Sequence, residues 1–421
     1  MKTWVFLFLG CRVFLDGAEE FFILPTAWYY IDSFGETKAF LGFVLSAYSI
    51  SAVFVGPIVG RLADRFGKIK CIATTCFALH VVGNLVYSMP ISAYFPLMGR
   101  FISGMGNAVA GVFYGQIALY TNEKYCAQVF IFLDGMFTLG AIFGPFISSV
   151  LLFNVDILGW EINGGNSPGI VLAIIWFIML LVGLFLPKEI GKEKTSRGET
   201  TSVYDDKHDL LSKQNKADPL QRCWNSTILC LFYLTFFCFF YTTMVTFYTP
   251  LLASEHFHLQ FTHVKLLFLN SSLFSLVLFL LLYIVAEYFD ERKLIASLMF
   301  FQILAIAMLT YFAFCWENAS YSEINGYFLL VYICVGMPYF QFALSCSLLS
   351  KITHPDNAAF YQGSSYATLH LSYVSGRLIA GFIFTRTPLL CLSLGLTLSW
   401  FVGVLWFSLE FYNFELLQFK R

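Results

Sequence analysis

Twelve segments of this chain are long and apolar enough to cross a bilayer: roughly 4–30, 39–60, 69–89, 94–119, 127–152, 168–187, 224–250, 265–286, 294–315, 326–350, 361–384 and 388–411. A spanning helix needs about 20 mostly apolar residues. Inside hydrocarbon every backbone N–H and C=O must find its partner within the protein, which restricts such segments to helices. Composition agrees: of 421 residues, 58% are hydrophobic and only 12% charged, against about 25% charged in a soluble domain. Mean hydropathy is +0.72. The expected fold class is an all-α membrane protein of twelve transmembrane helices. Residues 1–10 lack a small-residue cleavage site and run into Arg12 and Asp16, so they read as a retained first helix.

The connections are short except for 188–223, a polar stretch with eight Lys/Arg and seven Asp/Glu. It divides the chain into a six-helix half (1–187), a linker (188–223) and a second six-helix half (224–421). Lys and Arg set the orientation. Nineteen of the 25 fall on one face, including Lys2, the cations of 61–70, the linker and Lys420, which puts both termini in the cytoplasm. The sequon Asn318-Ala-Ser320 then lies on the luminal side, where a glycan is added. Eleven cysteines are scattered without a Cys-x-x-Cys pair, which argues against a disulfide framework or a metal site. Net charge is −1, so nothing suggests nucleic acid. With no nucleotide loop, metal cluster or nucleophile triad, neither an enzyme nor a cofactor is expected.

The stretch Gly60–Lys70 reads Gly-Arg-Leu-Ala-Asp-Arg-Phe-Gly-Lys-Ile-Lys. Glycines bracket a basic turn between two spans, and Asp64 is placed to cap the following helix or pair with a nearby arginine. Gly60, Leu62, Asp64, Arg65, Gly67 and Lys68 resemble the loop signature of the major facilitator superfamily. Arg100-x-x-x-Gly104-x-Gly106 and Gly140-x-x-x-Gly144-Pro145 are similar to its next two motifs. Two further stretches resemble a lysosomal group within it, the one linked to neuronal ceroid lipofuscinosis: Phe40–Ile50 running on to Gly56-Pro57, and the series Gly336-Met-Pro338, Ser350-Lys-Ile352, Tyr361-Gln-Gly363 and Ser375-Gly-Arg377. The superfamily resemblance implies alternating access around a cavity between the halves, with the 60–70 loop bracing them. It also implies a small-molecule or ion substrate. The acidic cluster of the first span departs from the lysosomal group.

Ionisable groups inside a bilayer are expensive and mark function by default. The first span holds Arg12, Asp16, Glu19 and Glu20, with Arg12, Asp16 and Glu19 on one helical face and Glu20 at its flank. Counting about 1.5 Å per residue puts Glu19 and Arg100 in one layer. A cation holding one carboxylate among crowded others is a recipe for proton coupling. Arg100 and Arg377 are candidates for a small anion. Asp134, His80 and His370 are lone polar groups, each read as a satisfied packing residue. The expected function is a secondary or facilitative transporter in an endosomal or lysosomal membrane, with the plasma membrane as the other address. A chloride or anion channel-like protein and a non-transporting sensor or scaffold are the alternatives. The linker carries Asp206-Lys-His-Asp-Leu210-Leu211, the acidic dileucine pattern that clathrin adaptors read.

Overall fold

The structure is a computed structural model that describes residues 3–150, 153–157, 159–186, 225–255, 277–315, 340–382 and 386–416. It is helical throughout apart from turns and one short hairpin, Val155–Ile157 against Trp160–Ile162. In chain order the helices are α1 (Thr3–Phe22), α2 (Leu24–Asp32), α3 (Lys38–Phe66), α4 (Ile69–Tyr87), α5 (Tyr94–Asn107), α6 (Val109–Tyr120), α7 (Glu123–Val150) and α8 (Ser167–Gly183). They continue with α9 (Ser226–Glu255), α10 (277–285), α11 (Glu291–Cys315), α12 (Gln341–Ile352), α13 (Ala358–Phe382), α14 (Arg386–Glu410) and α15 (Asn413–Leu416). Among the described residues, four stretches span a membrane by length and hydropathy alone: Ala39–Phe66, Ile69–Tyr87, Ser226–Met244 and Leu390–Glu410.

Three expectations about the spans need correction. The first span is two helices, broken at Ile23 ahead of Pro25. Proline has no N–H to donate, and its ring clashes with the carbonyl four residues back. The fourth span is also two helices: at Ala108 the backbone tightens and its N–H reaches Met105 O at 3.3 Å, a 3₁₀ step. The second span is longer than its apolar run. It continues as helix through Gly60, Arg61 and Asp64 to Phe66, so the basic turn shrinks to Gly67 and Lys68. Gly67 closes the helix at φ 62°, its N–H bonded to Ala63 O. That left-handed conformation is the one glycine adopts without a Cβ penalty. Most of 265–286 and 326–350 lies outside the described residues, as do 188–223 with Asp206, Leu210 and Leu211, and Asn318.

Packing follows small residues. With lipid as apolar as leucine, helices associate through close contact rather than hydrophobic drive. The α1–α7 contact shows how close. A Cβ on Gly140 would run into the backbone carbonyl of Phe14, and one on Gly144 would meet Ala18 O at 2.7 Å. The reciprocal Gly17 faces Phe137 O. The glycines of the third motif thus seat the charged helix α1 against α7, which runs on as helix through Pro145. α3 packs on α5 and α13, α4 on α5 and α8, and α13 also on α6 and α9.

Gly140→Val should therefore drive α1 and α7 apart and cost about 1–3 kcal/mol, as overpacking does. Gly42, where an added Cβ meets nothing within 4 Å, should accept alanine without loss. Thermal unfolding of the two detergent-solubilised variants checks this; equal melting temperatures would refute it.

Candidate functional site

α1 carries four charges into the middle of the bundle, and each is met by a different neighbour. Arg12 and Asp16 pair one turn apart. Arg12 Nη2 also lies 3.5 Å from Asn107 Oδ1, and its guanidinium sits 5.5 Å from the centre of the Phe113 ring. Glu19 is fully buried and has four partners. Its Oε2 lies 2.8 Å from His80 Nδ1, and its Oε1 accepts from Asn84 Nδ2 at 2.9 Å and from the Ser103 hydroxyl. Arg100 Nη1 is 3.8 Å from the same oxygen, while its guanidinium lies over Tyr48, 4.3 Å from the ring centre. Glu20 turns the other way and meets Arg377 Nη2 of α13 at 2.7 Å.

The two histidines are buried, each met by polar partners on other helices. His80 is a Glu19 partner and stacks on Trp176, with 3.9 Å between ring centres and 7° between planes. His370 Nε2 lies 2.9 Å from Asn107 Nδ2, and its Nδ1 lies 3.3 Å from Ser49 Oγ. Because Asn107 Oδ1 faces Arg12, its Nδ2 is the donor toward His370 Nε2, which leaves the imidazole proton on Nδ1 facing Ser49. Glu20 is buried as well, at 4% exposed. The two arginines proposed for an anion are both engaged, Arg100 with Glu19 and Arg377 with Glu20. Arg12 Nε, Asp16 Oδ1 and Arg100 Nε are buried without a hydrogen-bond partner, so the layer is incompletely satisfied. Residues of that kind are expected where function, not stability, sets the arrangement.

A second contact joins early and late helices at the Lys/Arg-rich face. Asp64 caps neither α4 nor an arginine. Its two carboxylate oxygens accept from the backbone N–H groups of Ala359, at 3.0 Å, and Phe360, at 2.7 Å. These are the first free donors of α13, where the helix dipole favours an anion. Gly60 lies against Ala359 O, and Gly111 against the backbone of Gly363. Glycine is needed at both places because the α3–α13 and α6–α13 backbones touch. Arg65 lies over the neighbouring Phe66 ring at 5.5 Å. Lys68 occupies the cap position of α4 without a side-chain capping bond. Nearby, Lys351 pairs with Glu291, which also accepts from Ser347 Oγ at 3.1 Å; this ties α12 to α11. Cys126 Sγ of α7 lies 3.4 Å from Ser350 Oγ of α12.

Between these two contacts lies a small cavity lined by Asp134 and Phe137 of α7, Phe239 of α9, Phe342 of α12, and Tyr366 and Tyr373 of α13. Sequence reasoning passed over Asp134 because a single carboxylate in an apolar span has no spacing partner to flag it. Asn84, Ser103 and Asn107 were missed for a different reason: small polar residues are ordinary in membrane helices, and only the fold aims them at α1.

Comparison with known proteins follows the same outline. The sequence profile of the Major Facilitator Superfamily matches residues 9–363. The tetracycline resistance protein, class H, of Pasteurella multocida is 27% identical over 172 residues, 41% of this chain and 40% of that protein. The class C protein of Escherichia coli is 22% identical over 373 residues, 86% of this chain and 83% of that one. The structure of the proton:xylose symporter XylE superposes with a TM-score of 0.76 at 12% identity, covering 98% of this chain and 96% of that one. These matches reach the superfamily and not the lysosomal group within it.

Removing the Asp64 cap should loosen the basic face. Loss of a capping carboxylate costs about 1–2 kcal/mol, which lowers the closed-to-open ratio about 5–30-fold. In Asp64→Ala the buried thiol of Cys126 should react with a maleimide several-fold faster, read peptide by peptide by mass spectrometry. Unchanged reactivity would remove Asp64 from the closure.

Proposed function

Since the chain belongs to the major facilitator superfamily, we propose that it is a secondary transporter that moves a small organic solute by alternating access, coupled to protons through the acidic layer of Asp16, Glu19 and Glu20, in which Glu19 is the anchor. The superfamily is one of membrane transporters, not enzymes. Residues 1–187 and 224–421 act as the two six-helix halves, joined by 188–223, with the solute and coupling ion handled near the midplane between them.

The observation that carries this reading is the ion pair between Glu20 of α1 and Arg377 of α13, at 2.7 Å across the two halves. A proton on Glu20 removes one of the two charges and with it most of the attraction. α1 and α13 can then part without leaving two bare ions in a medium of low polarity. When the halves return, Arg377 again favours the ionised carboxylate and the proton leaves. Asp16 pairs with Arg12 of its own helix, and Arg12 in turn reaches α13 through Asn107 and His370. Glu19 is the best held of the three acids, and its four partners fix α1 to α4 and α5 while the others cycle. An anionic solute would have to displace Glu19 from Arg100 or Glu20 from Arg377.

The test is uptake into proteoliposomes with and without a pH gradient, over a panel of solutes. Glu20→Gln should bring the gradient-driven accumulation ratio to about one while exchange of solute for solute persists. Normal accumulation in that variant would take Glu20 out of the coupling. Counterflow separates a carrier from a channel-like anion conductance, and binding without any flux would identify a sensor.

The address belongs to the same proposal. Asp206, Leu210 and Leu211 form an adaptor-read signal in a cytoplasmic linker, and Asn318 carries a luminal glycan. Leu210→Ala with Leu211→Ala should move the protein from endosomes and lysosomes to the plasma membrane with its glycan intact, followed by surface biotinylation. Unmoved protein would leave the lysosomal address without support.

A further inference from the structure

Three arginines inside the described core each face a carboxylate of α1. Arg12 pairs with Asp16, Arg100 faces Glu19, and Arg377 pairs with Glu20. Asp134 stands apart on α7. It is 4% exposed, its Oδ2 has no hydrogen-bond partner, and no ion pair among the described residues includes it. His370 lines the same cavity, but its two ring nitrogens are taken up by Asn107 and Ser49. A carboxylate at this depth with nothing to meet it points to a partner from outside the chain.

The walls say what kind of partner. Five aromatic rings surround the space, and four of them meet edge to face: Phe239 with Phe342 at 83°, Phe342 with Tyr366 at 79°, Phe239 with Tyr373 at 88°. Rings at such steep angles to one another line the space with both ring faces and ring edges. One of them, Tyr373, already has the Arg377 guanidinium at 5.3 Å. Aromatic walls attract weakly hydrated cations and cannot replace the water shell of a metal ion or a primary ammonium. Nor is there any cluster of three or more metal-ligating side chains among the described residues. The cavity also lies where elements of both halves converge, α7 from one and α9, α12 and α13 from the other. The cavity measures about 10 Å³ in this conformation, room for a water and no more, so an organic cation enters it only when these elements part.

We propose that Asp134 and its aromatic surround form the binding site for a weakly hydrated organic cation, of the quaternary ammonium or bulky aromatic amine class. This deepens the transporter reading and rests on it. The charge preference is opposite to the one the arginines suggested from sequence.

Direct binding to the full-length protein in detergent tests the site without requiring flux, so a failure here is distinct from a failure of transport. Benzyltrimethylammonium and benzylsulfonate are similar in size and opposite in charge. The cation should bind saturably and about tenfold or more tighter than the anion. Asp134→Asn should weaken the cation by a similar factor without lowering the melting temperature, because the amide keeps the shape of the carboxyl and breaks no ion pair among the described residues. Asp134→Glu should keep the preference for the cation, and Phe239→Leu should weaken the cation several-fold while sparing the fold. Equal binding of the two ions, absence of saturable cation binding, or full affinity in both Asp134→Asn and Phe239→Leu would each overturn the assignment.

Discussion

Four charges on one helix have to be satisfied where water is scarce, and the packing around α1 follows from that requirement. A lone ionised group in hydrocarbon is driven to neutralise or to find a counter-charge. Here α4, α5 and α13 each bring a side chain to meet α1: His80 and Asn84 from the first, Arg100, Ser103 and Asn107 from the second, Arg377 from the third. The Gly140–Phe14 and Gly17–Phe137 approaches hold α1 close enough to α7 for that layer to form. Removing any one partner would leave another charge buried alone, which is why such networks break as units.

The same logic distinguishes the three acids. Glu19 has four partners, all on α4 and α5, and none of them depends on where α13 stands. Glu20 gains everything from α13, because Arg377 is its only ion-pair partner among the described residues. Coupling between a proton and a rigid-body movement needs a group whose satisfaction depends on where the other body stands. Asp64 obeys this rule at the far end of the bundle, where its counter-charge is not a side chain but the dipole of α13. α13 therefore takes part in two latches at different depths, and an interaction that loosens one is felt by the helix that forms the other.

Much of this chain could be read without its fold. The apolar runs, the Lys/Arg asymmetry and the three glycine-bearing motifs identify a multi-helix membrane protein of the major facilitator superfamily, because the demand for about 20 apolar residues per span and for cytoplasmic cations acts locally along the sequence. The face shared by Arg12, Asp16 and Glu19 was legible too, since helical periodicity alone places residues three and four apart together. Gly67 was legible from its need for a positive φ.

What the sequence could not decide was which charge meets which. Asp64 finds its partners 295 and 296 residues away, and Glu20 finds its own 357 away. No local rule spans such distances. His80 looked like a packing residue because its partner sits on another helix, and Arg100 and Arg377 looked free because their carboxylates do. Asp134 looked unremarkable for the opposite reason: only when the arginines of the core are seen to be taken by the acids of α1 does a carboxyl oxygen without a partner stand out. Residue types and local geometry were set by short-range chemistry. The pairing of charges, and so the polarity of the space left between the halves, was decided by tertiary packing, because Coulomb attraction in a medium of low polarity reaches across helices that are remote in sequence.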